Sequence, residues 1–111
     1  MKKNQKKMTK IDHIAFIVEN IDEACKFYSE KLKLHVQFKY QDWALLKNDN
    51  ITLALTLKGK HPYHIAVKCE TLDLVEEKGV PDKHRDGSIS YYEDDGSGNA
   101  IEWIYYPSKK M

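Results

Sequence analysis

Two short strings limit what this chain can fold into. Residues 13–19 read HIAFIVE and residues 64–70 read HIAVKCE, sharing His, Ile, Ala and the closing Glu at a constant offset of 51. The identities are few, and the phase they keep is the stronger sign. Side chains alternate between the two faces of an extended strand. Ile14, Phe16 and Val18 therefore share one face, matched by Ile65, Val67 and Cys69, while His13, Ala15 and Ile17, matched by His64, Ala66 and Lys68, take the other. An imidazole at the same place on two strands, each beside an alanine that leaves space, predicts a duplicated unit. Both histidines are expected to face away from their own helix, toward whatever the opposite sheet face encloses.

The surroundings repeat as well. A first strand over 11–18 is followed by Asn20 as an N-cap with Glu23 three residues on. Ile21, Ala24, Cys25, Tyr28 and Leu32 then recur at helical spacing. Strands are expected over 34–40, 42–47 and 51–57, separated by Gln41-Asp42 and Asn48-Asp49-Asn50 as hairpin turns. The order restarts with a strand over 63–69 and a short helix from a Thr71 cap to Lys78, ended by Gly79 and Pro81. A weak strand near 83–85 and two more over 88–93 and 100–106 complete the second unit, the last pair joined by the DDGSGN loop. The pattern is that of an α+β chain with two βαβββ modules, 11–58 and 61–107.

Composition narrows the function classes. With 111 residues, 41% of them hydrophobic, the chain is long enough for one domain with a real core. No apolar run approaches the roughly 20 residues that span a bilayer, and no signal-peptide core is visible, so a soluble, cytoplasmic protein without a membrane partner is expected. Cys25 and Cys69 form no CxxC pair and read as reduced, buried small hydrophobes. The net charge of +1 conceals an asymmetry: Lys2, Lys3, Lys6, Lys7 and Lys10 hold five of 18 basic residues, leaving 13 against 17 acidic in the rest. Residues 1–10 read as a solvated, disordered leader rather than a tether to nucleic acid, and 108–111 as a tail.

A third polar residue shares the histidine surface. Glu102 sits between Ile101 and Trp103, and its carboxylate is costly to desolvate without a compensating cation or donors. Two imidazoles and one carboxylate on facing strands could hold a divalent metal and leave positions for substrate, so His13, His64 and Glu102 are the candidate ligands. The donor types suit zinc, manganese, iron, cobalt or nickel alike. His35, His61 and His84 lack matched phase, and His61, before Pro62, reads as a loop residue. Trp43, Tyr91, Tyr92 and Tyr106 form either an aromatic wall or ordinary packing. Lys68 and Arg85 either hold an anionic group or are solvated.

The strings DHIAFIVENIDEACKFYSEKLKL, YHIAV and DDGSGNAIEWIYYP together resemble the vicinal oxygen chelate superfamily, which includes glyoxalase I, fosfomycin-resistance proteins, extradiol dioxygenases and bleomycin-resistance proteins. The likeness covers 11–107. It implies paired modules forming a curled, cup-shaped mixed β-sheet with helices outside, and ligands falling on His13, His64 and the catalytic carboxylate Glu102. It also implies a homodimer, with modules pairing within one chain or across two. Setting NAIEWIYY beside DNITLALTL puts Thr52 opposite Glu102, where glyoxalase I has a fourth, ionisable ligand. The three-residue set is closer to that of the fosfomycin-resistance and extradiol enzymes. Lys33 also stands where the family often has glycine.

The expected activity is Lewis-acid chelation of adjacent oxygens on a small substrate, leading to isomerisation, addition, ring opening or oxygenation. Trp43, Thr52, Tyr91, Lys68 and Arg85 are the candidate substrate contacts. Two other readings stand beside it: a drug-sequestering binder of the bleomycin-resistance type, and an accessory protein whose fold supplies a dimer interface.

Overall fold

A computed structural model describes residues 9–107. The first eight residues of the basic leader and the 108–111 tail lie outside the described residues. The elements run β1 (Ile11–Val18), α1 (Ile21–Leu32), β2 (His35–Lys39), β3 (Trp43–Lys47) and β4 (Thr52–Leu57). They continue as β5 (Tyr63–Lys68), α2 (Leu72–Glu76), β6 (Asp82–Lys83), β7 (Ile89–Asp94) and β8 (Asn99–Tyr105). All eight strands form one open, mixed sheet in the order β2-β3-β4-β1-β5-β8-β7-β6. The modules therefore join within one chain, edge to edge through the antiparallel pair β1–β5, while β1–β4 and β5–β8 are parallel.

Each half is built as its sequence dictates, with instructive exceptions. Asn20 accepts from the Glu23 amide at 2.8 Å and starts α1. Ile21 and Cys25 on that helix pack with Leu34, Ala44, Leu46, Leu53 and Leu55, flanked by Ile14, Phe16 and Val18. This is the apolar face of the first module, and burying a leucine such as Leu46 or Leu55 contributes about 2 kcal/mol each. The second module is thinner. α2 has five residues, Thr71 stands at its N-cap without a side-chain cap bond, and the helix packs on β7 and β8 rather than β5. Ile65, on the face that should meet a helix, is consequently 44% exposed. β6 is a two-residue edge one position earlier than the 83–85 expectation.

The face opposite the helices carries the matched histidines. Register pairs Ala15 with Ala54 and His64, Ala66 with His13 and Glu102, and Ala100 with His64. Four alanines thus floor the polar cluster and keep bulk away from it. Among the described residues, no helix is long and apolar enough to cross a membrane. Cys25 and Cys69 are both free and buried.

Candidate metal centre

Three side chains from three neighbouring strands meet on the concave face. His13 Nε2 lies 3.3 Å from His64 Nε2, and Glu102 Oε1 lies 3.4 Å from His13 Nε2 and 3.3 Å from His64 Nε2. His64 and Glu102 are buried and His13 nearly so. Donors at about 2.0–2.2 Å from one centre are separated by roughly 3.0–3.5 Å, so the triangle has the size of one face of a metal coordination shell.

The outer ring nitrogens decide what points inward. His13 Nδ1 lies 2.8 Å from Asp12 Oδ2, and His64 Nδ1 lies 2.8 Å from the Pro62 carbonyl oxygen. A carboxylate and a carbonyl only accept, so each Nδ1 carries the proton and donates it. Both Nε2 atoms then present lone pairs to each other and to a carboxylate. Three electron-pair donors gathered in a buried place demand a cation between them. A divalent ion with imidazole and carboxylate ligands satisfies that demand, and this donor set fits one. A proton on His13 is the alternative. Burial lowers the His13 pKa, but hydrogen bonds to Asp12 and Glu102 outweigh it and raise the value from 6.5 to about 9. Burial would raise the Glu102 pKa, yet hydrogen bonds with His13, His64 and Ser90 hold it well below the usual carboxylate range.

Asp12 was hidden in the sequence by strict alternation, which puts it on the face opposite His13. The β1–β5 register shifts between Ile11 and His13, leaving Asp12 as the extra residue of a bulge. Bulges re-aim side chains, and this one sets the Asp12 carboxylate beside the imidazole that it orients. Asp12 also accepts from the Tyr106 hydroxyl at 2.7 Å. Despite burial, hydrogen bonds from His13 and Tyr106 hold the Asp12 pKa below its ordinary value. Tyr106 itself is pushed well above the ordinary phenol range by burial and by that bond. Lys68 places its ammonium 6.0 Å from the Tyr106 ring centre, at the same end of the cluster.

The other expected contacts divide. Thr52 precedes Leu53, the β1 partner of which is Ile14, so it runs beside His13 on the concave face. Trp43 pairs with Thr56 on that face, stacks with Phe38 at a ring distance of 6.4 Å and meets Tyr40 at a tilt at 5.6 Å. Tyr91 does not face the cluster. It pairs with Trp103, on the face opposite Glu102, and its ring fills the space that a side chain at Gly79 would need. The pleat gives the concave position to its neighbour Tyr92, which pairs with Glu102 and meets the His64 ring edge-on at 5.2 Å. Burial and the nearby carboxylate push the Tyr92 hydroxyl far above its ordinary pKa. Arg85 is exposed in the turn before β7.

Two histidines without matched phase also reach the site. His84 Nε2 lies 2.6 Å from Ser90 Oγ and 3.7 Å from Glu102 Oε2. The His61 ring stacks on Tyr92 at 6.1 Å and meets His64 edge-on at 6.4 Å. Burial and the neighbouring His64 lower the His61 pKa. Periodicity could not find either residue, since both precede strands in irregular segments; the richness of the chain in histidine was the available signal.

Comparison with known proteins agrees with the geometry. The model of the Glyoxalase/Bleomycin resistance protein/Dioxygenase superfamily matches residues 10–110. No curated protein matches. A hypothetical protein from Bacillus halodurans C-125 superposes with a TM-score of 0.70 at 21% identity, over 95% of this chain and 99% of that one. A variant of Streptomyces coelicolor methylmalonyl-CoA epimerase in complex with 2-nitronate-propionyl-CoA gives 0.67 at 20% identity, over 92% and 100%. A variant of homoprotocatechuate 2,3-dioxygenase from Brevibacterium fuscum gives 0.64 at 18%, over 88% of this chain and 32% of the dioxygenase. At such identities the structural likeness speaks for the fold alone. The family match over nearly the whole length, on a duplicated βαβββ sheet, establishes that this chain belongs to the Glyoxalase/Bleomycin resistance protein/Dioxygenase superfamily.

Proposed function

We propose that this protein is a metal-dependent enzyme that acts on a small, oxygen-rich substrate through two adjacent oxygens. One observation carries the reading: two imidazole nitrogens and a carboxylate oxygen converge within 3.3–3.4 Å, with both outer imidazole nitrogens set against acceptors. A divalent metal held by His13, His64 and Glu102 would supply Lewis acidity for negative charge developing on a substrate oxygen. The chain contributes the rest. Asp12 and the Pro62 carbonyl fix the ligand tautomers, and the alanine floor leaves room beside the donors. Lys68, beside Tyr106 at the Asp12 end, is placed to attract an anionic substrate group. Thr52 cannot ionise, so it offers no basic ligand at the position where glyoxalase I would use one. A two-histidine, one-carboxylate set with open positions suits addition, ring opening or oxygenation better than a proton shuttle between carbons. All three donors come from one chain, so a homodimer, proposed on the family resemblance, is not needed to complete the site.

The aromatic group Phe38, Trp43 and Tyr40 favours a second reading, a metal-free binder of planar drugs; Phe38 and Tyr40 are 50% and 59% exposed. Elemental analysis of gently purified protein separates the two. About one equivalent of divalent metal is expected, lost in His64→Ala and in Glu102→Gln. Undiminished stoichiometric metal in His64→Ala would sink the enzyme reading. Thermal stabilisation by an aromatic ligand, unchanged by a chelator, would favour the binder.

A further inference from the structure

The two imidazoles of the cluster are held from outside in unequal ways. His64 Nδ1 lies 2.8 Å from the Pro62 carbonyl oxygen, an acceptor on the backbone just before it, whose place the chain itself fixes. His13 Nδ1 meets a side chain instead, and the Asp12 carboxylate stands on the extra residue of a bulge, where the ladder sets no position for it. A second donor meets that carboxylate. The Tyr106 hydroxyl donates to the same oxygen, Oδ2, at 2.7 Å, beside the His13 contact at 2.8 Å. Tyr106 follows β8 and keeps the phase of Glu102 and Ile104, which puts its ring on the concave face. The strand order sets β5 between β8 and β1, so the phenol crosses β5 to reach Asp12, with the Lys68 ammonium 6.0 Å from its ring centre.

We infer that Tyr106 is a positioning residue of the metal centre, its hydroxyl fixing the bulged Asp12 carboxylate so that His13 is held in one tautomer and one orientation with Nε2 toward the ion. The inference rests on the proposed metal site and adds a residue one step behind a ligand's own partner. A carboxylate on a single hydrogen bond can turn about its side-chain torsions and carry the imidazole with it. Two donors converging on one oxygen, from strands on either side of β5, leave it a single placement. His64 needs no such support, because its acceptor is main chain.

The test is a double-mutant cycle on the full chain, read as Co(II) affinity by competition with a chromophoric chelator. Tyr106→Phe keeps the ring and removes only the donor, at a residue 39% exposed. Affinity should fall about 3- to 10-fold, less than the loss on removing Asp12, since Tyr106 acts through it. In an Asp12→Ala background the same substitution should cost less than about 2-fold, whereas a packing role would cost the same in both. A second readout is the proton spectrum of the cobalt-loaded protein, in which the strongly shifted, exchangeable Nδ1–H signals of the two ligand imidazoles report their outer bonds. The signal that Asp12→Ala moves or abolishes should exchange faster with solvent in Tyr106→Phe, and the other should not change. Parent-like affinity and exchange in Tyr106→Phe, or an equal loss with and without Asp12, would overturn the positioning role and leave the metal site intact. A parent protein that takes up no cobalt would instead overturn the metal site itself, and this inference with it.

Discussion

His13 reaches the centre with its outer nitrogen already engaged, and Asp12 is the group that engages it. Replacing Asp12 with Asn keeps the shape and one acceptor oxygen but removes the charge that strengthens the imidazole as a donor. Metal affinity should fall about 10- to 100-fold, as measured by competition with a chromophoric chelator. An affinity unchanged in Asp12→Asn would mean that the bond to His13 is incidental. The three converging donors were legible because alternation is strict: two histidines in equal phase and one carboxylate in an apolar strand are sent to the same face of the sheet. Asp12 was illegible for the same reason, since one inserted residue reverses the alternation locally and leaves no mark in composition. Tyr91 and Tyr92 show the converse. Adjacent tyrosines on one strand point to opposite faces, and only the register against β8 decides which one meets Glu102.

Elements were more readable than their ends. The α1 cap follows from Asn20 and Glu23, whereas Thr71 has the right chemistry for a cap and makes no such bond. The end of α1 bears on stability. Lys33 closes the helix at φ 56°, ψ 52°, a left-handed conformation, with the Leu34 amide donating to the Ser29 carbonyl at 3.1 Å. Asn48 covers the Leu32 carbonyl at 3.3 Å. A side chain in this conformation costs about 1–2 kcal/mol. Glycine relieves that and forfeits about 0.4–1 kcal/mol through the freer unfolded chain. Lys33→Gly is therefore expected to stabilise the protein by about 0.5–1 kcal/mol in urea unfolding, with an unchanged m-value. A destabilised variant would show that the lysine side chain contributes something its exposed position does not reveal.

At the scale of the molecule, duplication was visible and the mode of joining was not. Nothing in HIAFIVE or HIAVKCE says whether β1 meets β5 of its own chain, because both pairings satisfy the same face. The joined site makes the metal-free protein sensitive to pH. The Glu102 pKa is lowered from 4.5, so its contribution is present above about 4.5 and is lost as the pH falls further. The His13 pKa is raised from 6.5 to about 9, so its contribution is full below 6.5 and is lost as the pH rises toward 9. With a chelator present, Tm should be highest between about pH 4.5 and 6.5 and should fall between 6.5 and 9. Metal requires the deprotonated imidazole, so metal-loaded protein should gain relative stability over the upper range. A flat metal-free profile from pH 6.5 to 9 would contradict the charged state assigned to His13.

His13 hangs from one half of the sheet, and His64 and Glu102 hang from the other. An ion shared by them, as proposed above, would be a clasp across the β1–β5 seam as well as a reagent. The free energy of holding it would then also stabilise the junction between two small and unequally packed halves.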